Sequence, residues 1–461
     1  MARRSKRRHA AIRAGPAGLI ACAVAVAAMG PVAAHALVAL LPSFSAPASL
    51  GTDLAPVSIA IGDLNGDARI DLATANRLSG DVSVFLNWGD GSFQARRDYA
   101  TSSLPSSLGI GDVNGDGKPD LVTANQDEEG IAGTVSVLTN PGDGSFPAKR
   151  DYPTGMNPYS VAIGDLDGDR SADLAVAVRD DDVSRSGAVS VLLNGGEGAF
   201  GAGRVYPIGA DPADVAIGDL NGDGSADLVT ANTYAGTLSV LLNDGSGAFG
   251  PRRNIPTGNW APSVAIGDLN ADGKADLVAG HYDKMVSVFF NAGGGRFGEA
   301  REHATGRYPN DVAIGDLNGD GAPDLATANF QSNTVSVLAN WGDGSFVAHR
   351  DFRTGEKPWS LAIGELNGDG NPDLATASEV SDTVSVLVNT TGLCTVPKVH
   401  KRTVPAATRA ITHSLCVLGR IRRSYSATIP KGRVLSATPR PGTVLPTRSK
   451  VSLLVSRGRR R

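Results

Sequence analysis

Asp112-Val113-Asn114-Gly115-Asp116-Gly117-Lys118-Pro119-Asp120 places side-chain oxygens at positions 1, 3, 5 and 9 of a nine-residue run, with glycines at 4 and 6. Glycine, asparagine and aspartate at this density describe a tight turn with left-handed backbone. Odd positions of such a turn face a common centre, and the carbonyl of Lys118 at position 7 adds a further oxygen. Two carboxylates about 4–5 Å apart repel by roughly 3–4 kcal/mol at an effective dielectric near 20. Left empty, the turn works against itself. A set made only of oxygens suits a hard cation with six to eight ligands, which points to calcium over zinc or copper. The final acid stands at position 9, not at 12 as in an EF-hand, and the flanking segments alternate like strands.

The run recurs along the chain. Its first acids are Asp63, Asp112, Asp165, Asp219, Asp268, Asp316 and Glu365, 48–54 residues apart. The predicted ligand sets are Asp63, Asn65, Asp67, Asp71; Asp112, Asn114, Asp116, Asp120; Asp165, Asp167, Asp169, Asp173; and Asp219, Asn221, Asp223, Asp227. The rest are Asp268, Asn270, Asp272, Asp276; Asp316, Asn318, Asp320, Asp324; and Glu365, Asn367, Asp369, Asp373. Up to seven calcium ions are expected. They should bind more weakly in repeats 1, 3, 5 and 7, where Ala68 and Arg170 replace the glycine at position 6, Ala271 that at position 4, and Glu365 the first aspartate.

Repeats of this length mark propellers or solenoids. Each unit holds four short candidate strands; in the sixth they are residues 297–303, 311–315, 324–328 and 334–338. The expected fold is all-β: a seven-bladed propeller of four-stranded antiparallel blades, with an open solenoid as the alternative. The segment 311–315 and its equivalents are rich in small residues, as the innermost strand requires. Phe44 precedes Asp63 by the 19 residues that separate Phe93 from Asp112, so an N-terminal strand is available to latch onto the last blade.

Charge divides the chain. The formal net charge is only -4, but residues 1–36 carry six bases and no acid, and residues 394–461 carry sixteen bases and no acid. All 47 acids lie between, against 21 bases, and 22 of them are in the seven turns. The expected domains are a leader at 1–36, a propeller at 37–393 and a basic α+β domain at 394–461. Arg3 to Arg8, the apolar run 17–29 and Ala34-His35-Ala36 form a secretory signal peptide with cleavage after Ala36. A retained membrane anchor and lipidation at Cys22 are the alternatives. Outside the leader remain Cys394 and Cys416, an even pair that reads as a disulfide in an exported domain, or as two buried thiols.

The nine-residue turns resemble the FG-GAP/VCBS-type repeats of the integrin α-subunit propeller and of bacterial surface proteins, over about residues 40–390. The resemblance implies that the ions act chiefly as structural staples. From Cys394 onward, Val396-Pro397, the Pro439-Arg440-Pro441-Gly442 turn and Val455-Ser456-Arg457-Gly458 resemble a PASTA domain, with a helix expected over residues 406–415. His400-Lys401 and Ala437 depart from that pattern. The resemblance implies attachment to peptidoglycan, and the basic charge suits anionic wall polymers; docking on the acidic propeller is the alternative.

No nucleophile motif, phosphate loop or zinc motif is present, and carboxylates committed to cations are poor general acids, so no enzyme activity and no nucleic-acid partner are expected. The contrasting class is an exported glycan lyase or hydrolase whose site assembles from loops. Tyr159, Trp260, Tyr308 and Trp359 each stand beside the turn entering an inner strand and form a possible ligand face for a glycan or protein, with turn packing as the plain alternative. The long turns 126–133 and 180–187 offer further contact surface.

Overall fold

The computed structural model describes residues 41–391, except 128–131, 156, 180–185 and 259, together with short strands in the tail. Pro42–Thr391 forms one compact unit. It is a seven-bladed propeller of four-stranded antiparallel sheets. Blade 1 consists of Pro56–Gly62, Asp71–Asn76, Asp81–Phe85 and Arg97–Ala100, hydrogen-bonded in that order.

The blades are phased differently from the sequence units. The strand expected at 297–303 to open the sixth unit is Arg301–Ala304, and it is the outer strand of blade 5, paired with Met285–Phe289 through Val288↔Arg301. Successive strands joined by a short turn pair as hairpins, so this strand stays with its predecessor. The link after it then crosses to the axis, where Pro309–Gly315 begins blade 6. The same phasing leaves blade 7 one strand short. Ala48–Gly51 supplies that strand, pairing with Thr383–Leu387 from Ala48↔Val386 to Gly51↔Thr383. Phe44 bridges Asn389 as Phe93 bridges Asn87, and its ring meets Phe352 edge-on at 4.9 Å. The expected latch is present.

Burial follows position in the blade. The second strand of every blade is buried along almost its whole length and the outer strand is largely exposed. Between blades lie clusters such as Leu64, Val82, Leu108 and Leu121. Near the axis the inner strands crowd together. Gly62 ends its strand against Ile110 of the next blade, and a Cβ there would stand 3.1 Å from Ile110 Cγ2. Gly364 repeats the contact against Ile61 and closes the circle. The small residues read in the inner strand therefore have a steric cause.

In the tail, Leu393–Thr395 pairs antiparallel with Val444–Pro446, while Ser452–Val455 pairs antiparallel with Val434–Thr438 and parallel with Arg423–Ser424. The leader, Cys22, the helix expected at 406–415 and Cys416 lie outside the described residues, and so do residues 128–131 and 180–185 of the two long turns. Among the described residues no helix is long and apolar enough to cross a membrane.

Candidate metal centre and ligand face

Each nine-residue turn joins the inner strand to the second strand, at one end of the propeller. Positions 4 and 6 have positive φ in every turn, between 58° and 88°. Glycine adopts this freely, but Ala68, Arg170 and Ala271 are forced into it at 65°, 73° and 58°. The acid at position 1 organises the turn. Asp316 Oδ1 accepts the Gly319 and Asp320 N–H groups at 2.7 and 3.1 Å, and Oδ2 accepts the Gly321 N–H at 2.8 Å. Glu365 does the same with its longer side chain, taking the N–H groups of Asn367, Gly368 and Gly370.

Side chains at the other ligand positions converge. In the third turn, oxygens of Asp165, Asp167 and Asp173 all lie within 4.8 Å of one another. Where position 3 is asparagine, its Nδ2 donates either to the acid at 9, as Asn367 does to Asp373 at 3.2 Å, or to the acid at 5, as Asn221 does to Asp223 at 2.8 Å. The donor set is oxygen-rich and crowded, which fits calcium. Basic side chains at position 7 fold over the acid at 5 in three turns: Arg69 on Asp67 at 3.4 Å, Lys118 on Asp116 at 3.4 Å, and Lys274 on Asp272 at 3.0 Å.

The acid at position 9 is fully buried in all seven turns. One carboxylate oxygen accepts the position-2 N–H at 2.8–3.3 Å. The other accepts the N–H of an asparagine that follows the third strand, at 2.6–2.8 Å. Burial, reinforced by neighbouring acids of the same turn (positions 1 and 5, but 3 and 5 for Asp173), pushes Asp71, Asp120 and Asp173 up to about 6 and Asp324 and Asp373 up to about 7. A bound cation opposes that shift.

Those asparagines form a second ring. Asn87, Asn140, Asn194, Asn243, Asn291, Asn340 and Asn389 each send Nδ2 to the position-8 carbonyl of their own turn and to the position-2 carbonyl of the preceding blade, the latter at 2.7–2.9 Å. Every turn is thus tied to the next, and Asn87 reaching Leu366 closes the circuit. The sequence analysis did not single them out, although the recurring Asn-x-Gly-x-Gly-x-Phe, as in residues 87–93, was visible.

The other end of the propeller gathers the four predicted aromatics. Tyr159 and Trp359 line a cavity of about 100 Å³ bounded by residues from all seven blades. Trp260 and Tyr308 join it through Tyr282, a lining residue absent from the prediction. The Trp260–Tyr282 centroids are 6.0 Å apart, and Tyr282 stacks on Tyr308 at 4.7 Å. Tyr234 extends the arc beyond Trp260 at 6.3 Å. Arg179 lies over Tyr159, 3.4 Å from its centroid, and is paired with Asp211 at 2.8 Å. Trp359 packs instead edge-on against Phe330.

A profile of the FG-GAP-like repeat matches residues 63–123, 112–176, 171–230, 219–279, 268–327 and 316–376, and the PASTA domain profile matches 395–457. No curated protein matches the chain's sequence. Crystal structures of BBS1N in complex with ARL6DN, soaked with mercury and with lead, superpose with TM-scores of 0.53 and 0.52 at 13 % and 12 % identity. They cover 75 % of this chain and 97 % and 96 % of theirs, and share the fold.

Proposed function

Since the chain belongs to the FG-GAP-like repeat family, we propose that it is an exported, non-catalytic binding scaffold, a propeller stapled by calcium and retained at the cell wall by its PASTA domain. Positions 1, 3, 5 and 9 of each turn would hold the ion, which supplies positive charge where carboxylates crowd. The ions lie at blade tips already linked by the asparagine ring, so their role is to stiffen the circuit. The observation that carries this reading is a uniform one: seven turns of one oxygen-rich design, every one joined to its neighbour.

The PASTA match supports a wall ligand of the peptidoglycan type, and the sixteen bases of the tail add attraction to anionic polymer. The aromatic arc at the opposite end of the propeller is the face for an extracellular glycan or protein. Sedimentation of the full chain with purified cell walls, beside a chain truncated after Leu393, tests retention. The expected result is loss of binding on truncation. Equal retention would remove the tail from the account, and release of soluble fragments from the wall would make the protein an enzyme instead.

A further inference from the structure

The third residue of the inner strand forms a ring around the axis. It is serine in blades 1, 2, 3 and 7 and aspartate in blades 4 and 6, as Asp214 and Asp311, while in blade 5 the equivalent Ser263 lies just before the shorter strand Val264–Gly267. In the ordinary pattern the serine hydroxyl accepts an N–H from the next blade, as Ser58 does from Leu108 at 3.1 Å and Ser107 from Val161 at 3.2 Å. The aspartates keep that bond: Asp214 Oδ2 accepts the Val264 N–H at 3.0 Å and Asp311 Oδ2 the Leu361 N–H at 2.8 Å. Asp214 Oδ1 also accepts the Ser160 hydroxyl and the Val215 N–H, at 2.8 and 2.9 Å.

Blade 5, between them, breaks the pattern. Ser263 is 3 % exposed, lines the cavity, and its hydroxyl has no hydrogen-bond partner among the described residues. A buried hydroxyl left unpaired is unfavourable in a stable fold, and the half-buried carboxylates of the two flanking blades, Asp214 and Asp311, line the same cavity. Both acids are pushed up by burial, Asp214 to about 7 with Asp311 adding to the effect, and Asp311 to about 6. The nearby guanidinium of Arg179 is already engaged by Asp211 and Tyr159. Arg179, which also lines the cavity, is thus committed elsewhere, and a further cation that donates hydrogen bonds would complete the site.

The geometry points to the axial cavity as a site for a primary alkylammonium group, with its three N–H donors shared among Asp214, Asp311 and Ser263 and its methylenes against Tyr282 and Trp359. Three donors meet three acceptors, and the aromatic faces attract an organic cation. Size selects as well. A cavity of about 100 Å³ is smaller than the ~150 Å³ that admits benzene, so it takes an amine terminus and its first carbons and leaves a sugar ring at the mouth. The site deepens the scaffold reading by naming the chemistry of the propeller's ligand, and it stands apart from whatever the tail grips.

The test is calorimetric titration of the full chain, its turns saturated with calcium, with pentylammonium and with pentan-1-ol, following tryptophan fluorescence in parallel. Pentylammonium is expected to saturate at one site and to bind roughly tenfold or more tightly than the alcohol, because its hydrogen bonds are charge-assisted. Asp214→Asn with Asp311→Asn should remove that preference. Ser263→Ala, which deletes no existing bond, should weaken binding severalfold. Equal binding of amine and alcohol, no saturable binding, or displacement of the amine by further calcium would overturn the assignment. If the Asn variant fails to fold, the wild-type comparison still decides. Wall sedimentation reads the tail separately, so failure of either experiment leaves the other interpretable.

Discussion

The two ends of the propeller are built on opposite principles. At the turn end, seven copies repeat one design with minor departures, and side chains from each blade close on the one before: Asn340 on Leu269, Asn389 on Leu317. At the axial end the repeat is broken. Aspartate replaces serine in two blades only, and Tyr234, Trp260, Tyr282 and Tyr308 form one arc on blades 4 to 6. Uniformity is what a ring needs for closure. A ligand, being asymmetric, needs the reverse.

Removing calcium should produce the largest difference between the ends. An ion at a hundredfold excess over its Kd stabilises by roughly 2.7 kcal/mol per site. Several sites together should lower Tm by about 10 °C or more when EGTA is added. Scanning calorimetry with and without chelator measures this, and an unchanged Tm would break the account of the turn end. Next in size, Asn340→Ala strips a donor from the carbonyls of Leu269 and Pro323 and an acceptor from the Gly342 N–H. Buried groups left unpaired cost about 1–3 kcal/mol each, so denaturant unfolding should show a loss of about 2–4 kcal/mol. Asp214→Asn at the other end should cost little or even stabilise, since it removes a partly buried charge that desolvation disfavours.

The axial carboxylates also set a pH dependence. A carboxyl whose pKa is higher in the folded chain holds its proton more tightly there. Its share of stability is therefore complete below about pH 4 and disappears as pH rises through about 6 for Asp311 and about 7 for Asp214. Across that window the wild type should lose ground to the Asp214→Asn, Asp311→Asn variant by at most about 7 kcal/mol, taking ~1.4 kcal/mol per pKa unit over the two shifts together. Parallel stability–pH curves for the two proteins would show that neither acid is shifted by burial.

Legibility in the sequence followed the same division. The seven turns, the blade count and the Phe44 latch were readable because each repeats at a fixed spacing. The phasing was not, because a repeat has no marked beginning and only hairpin pairing assigns Arg301–Ala304 to blade 5. The asparagine ring was readable in principle, from a motif as regular as the acidic one. Tyr282 and the Asp214–Ser263–Asp311 grouping were beyond reach. They come from different blades, and closure of the ring alone brings them to one cavity.

Inequality among the turns provides the smallest effect and the finest resolution. Ala68, Arg170 and Ala271 are held at positive φ where the other turns have glycine, at a cost of order 1 kcal/mol each. Glycine relieves that strain but adds freedom to the unfolded chain, so the net gain from Ala68→Gly, Arg170→Gly or Ala271→Gly is expected to be about 0.5 kcal/mol. If the ion-free turn relaxes out of this shape and a bound ion restores it, the same gain should appear as roughly twofold tighter calcium binding in that repeat alone. Turns 4 and 6 start ahead for a second reason: Ser225 and Ala322 stand where Arg69, Lys118 and Lys274 lie over the acid at position 5. Stepwise calcium titration should fill turns 4 and 6 first, and seven identical steps would erase the ranking.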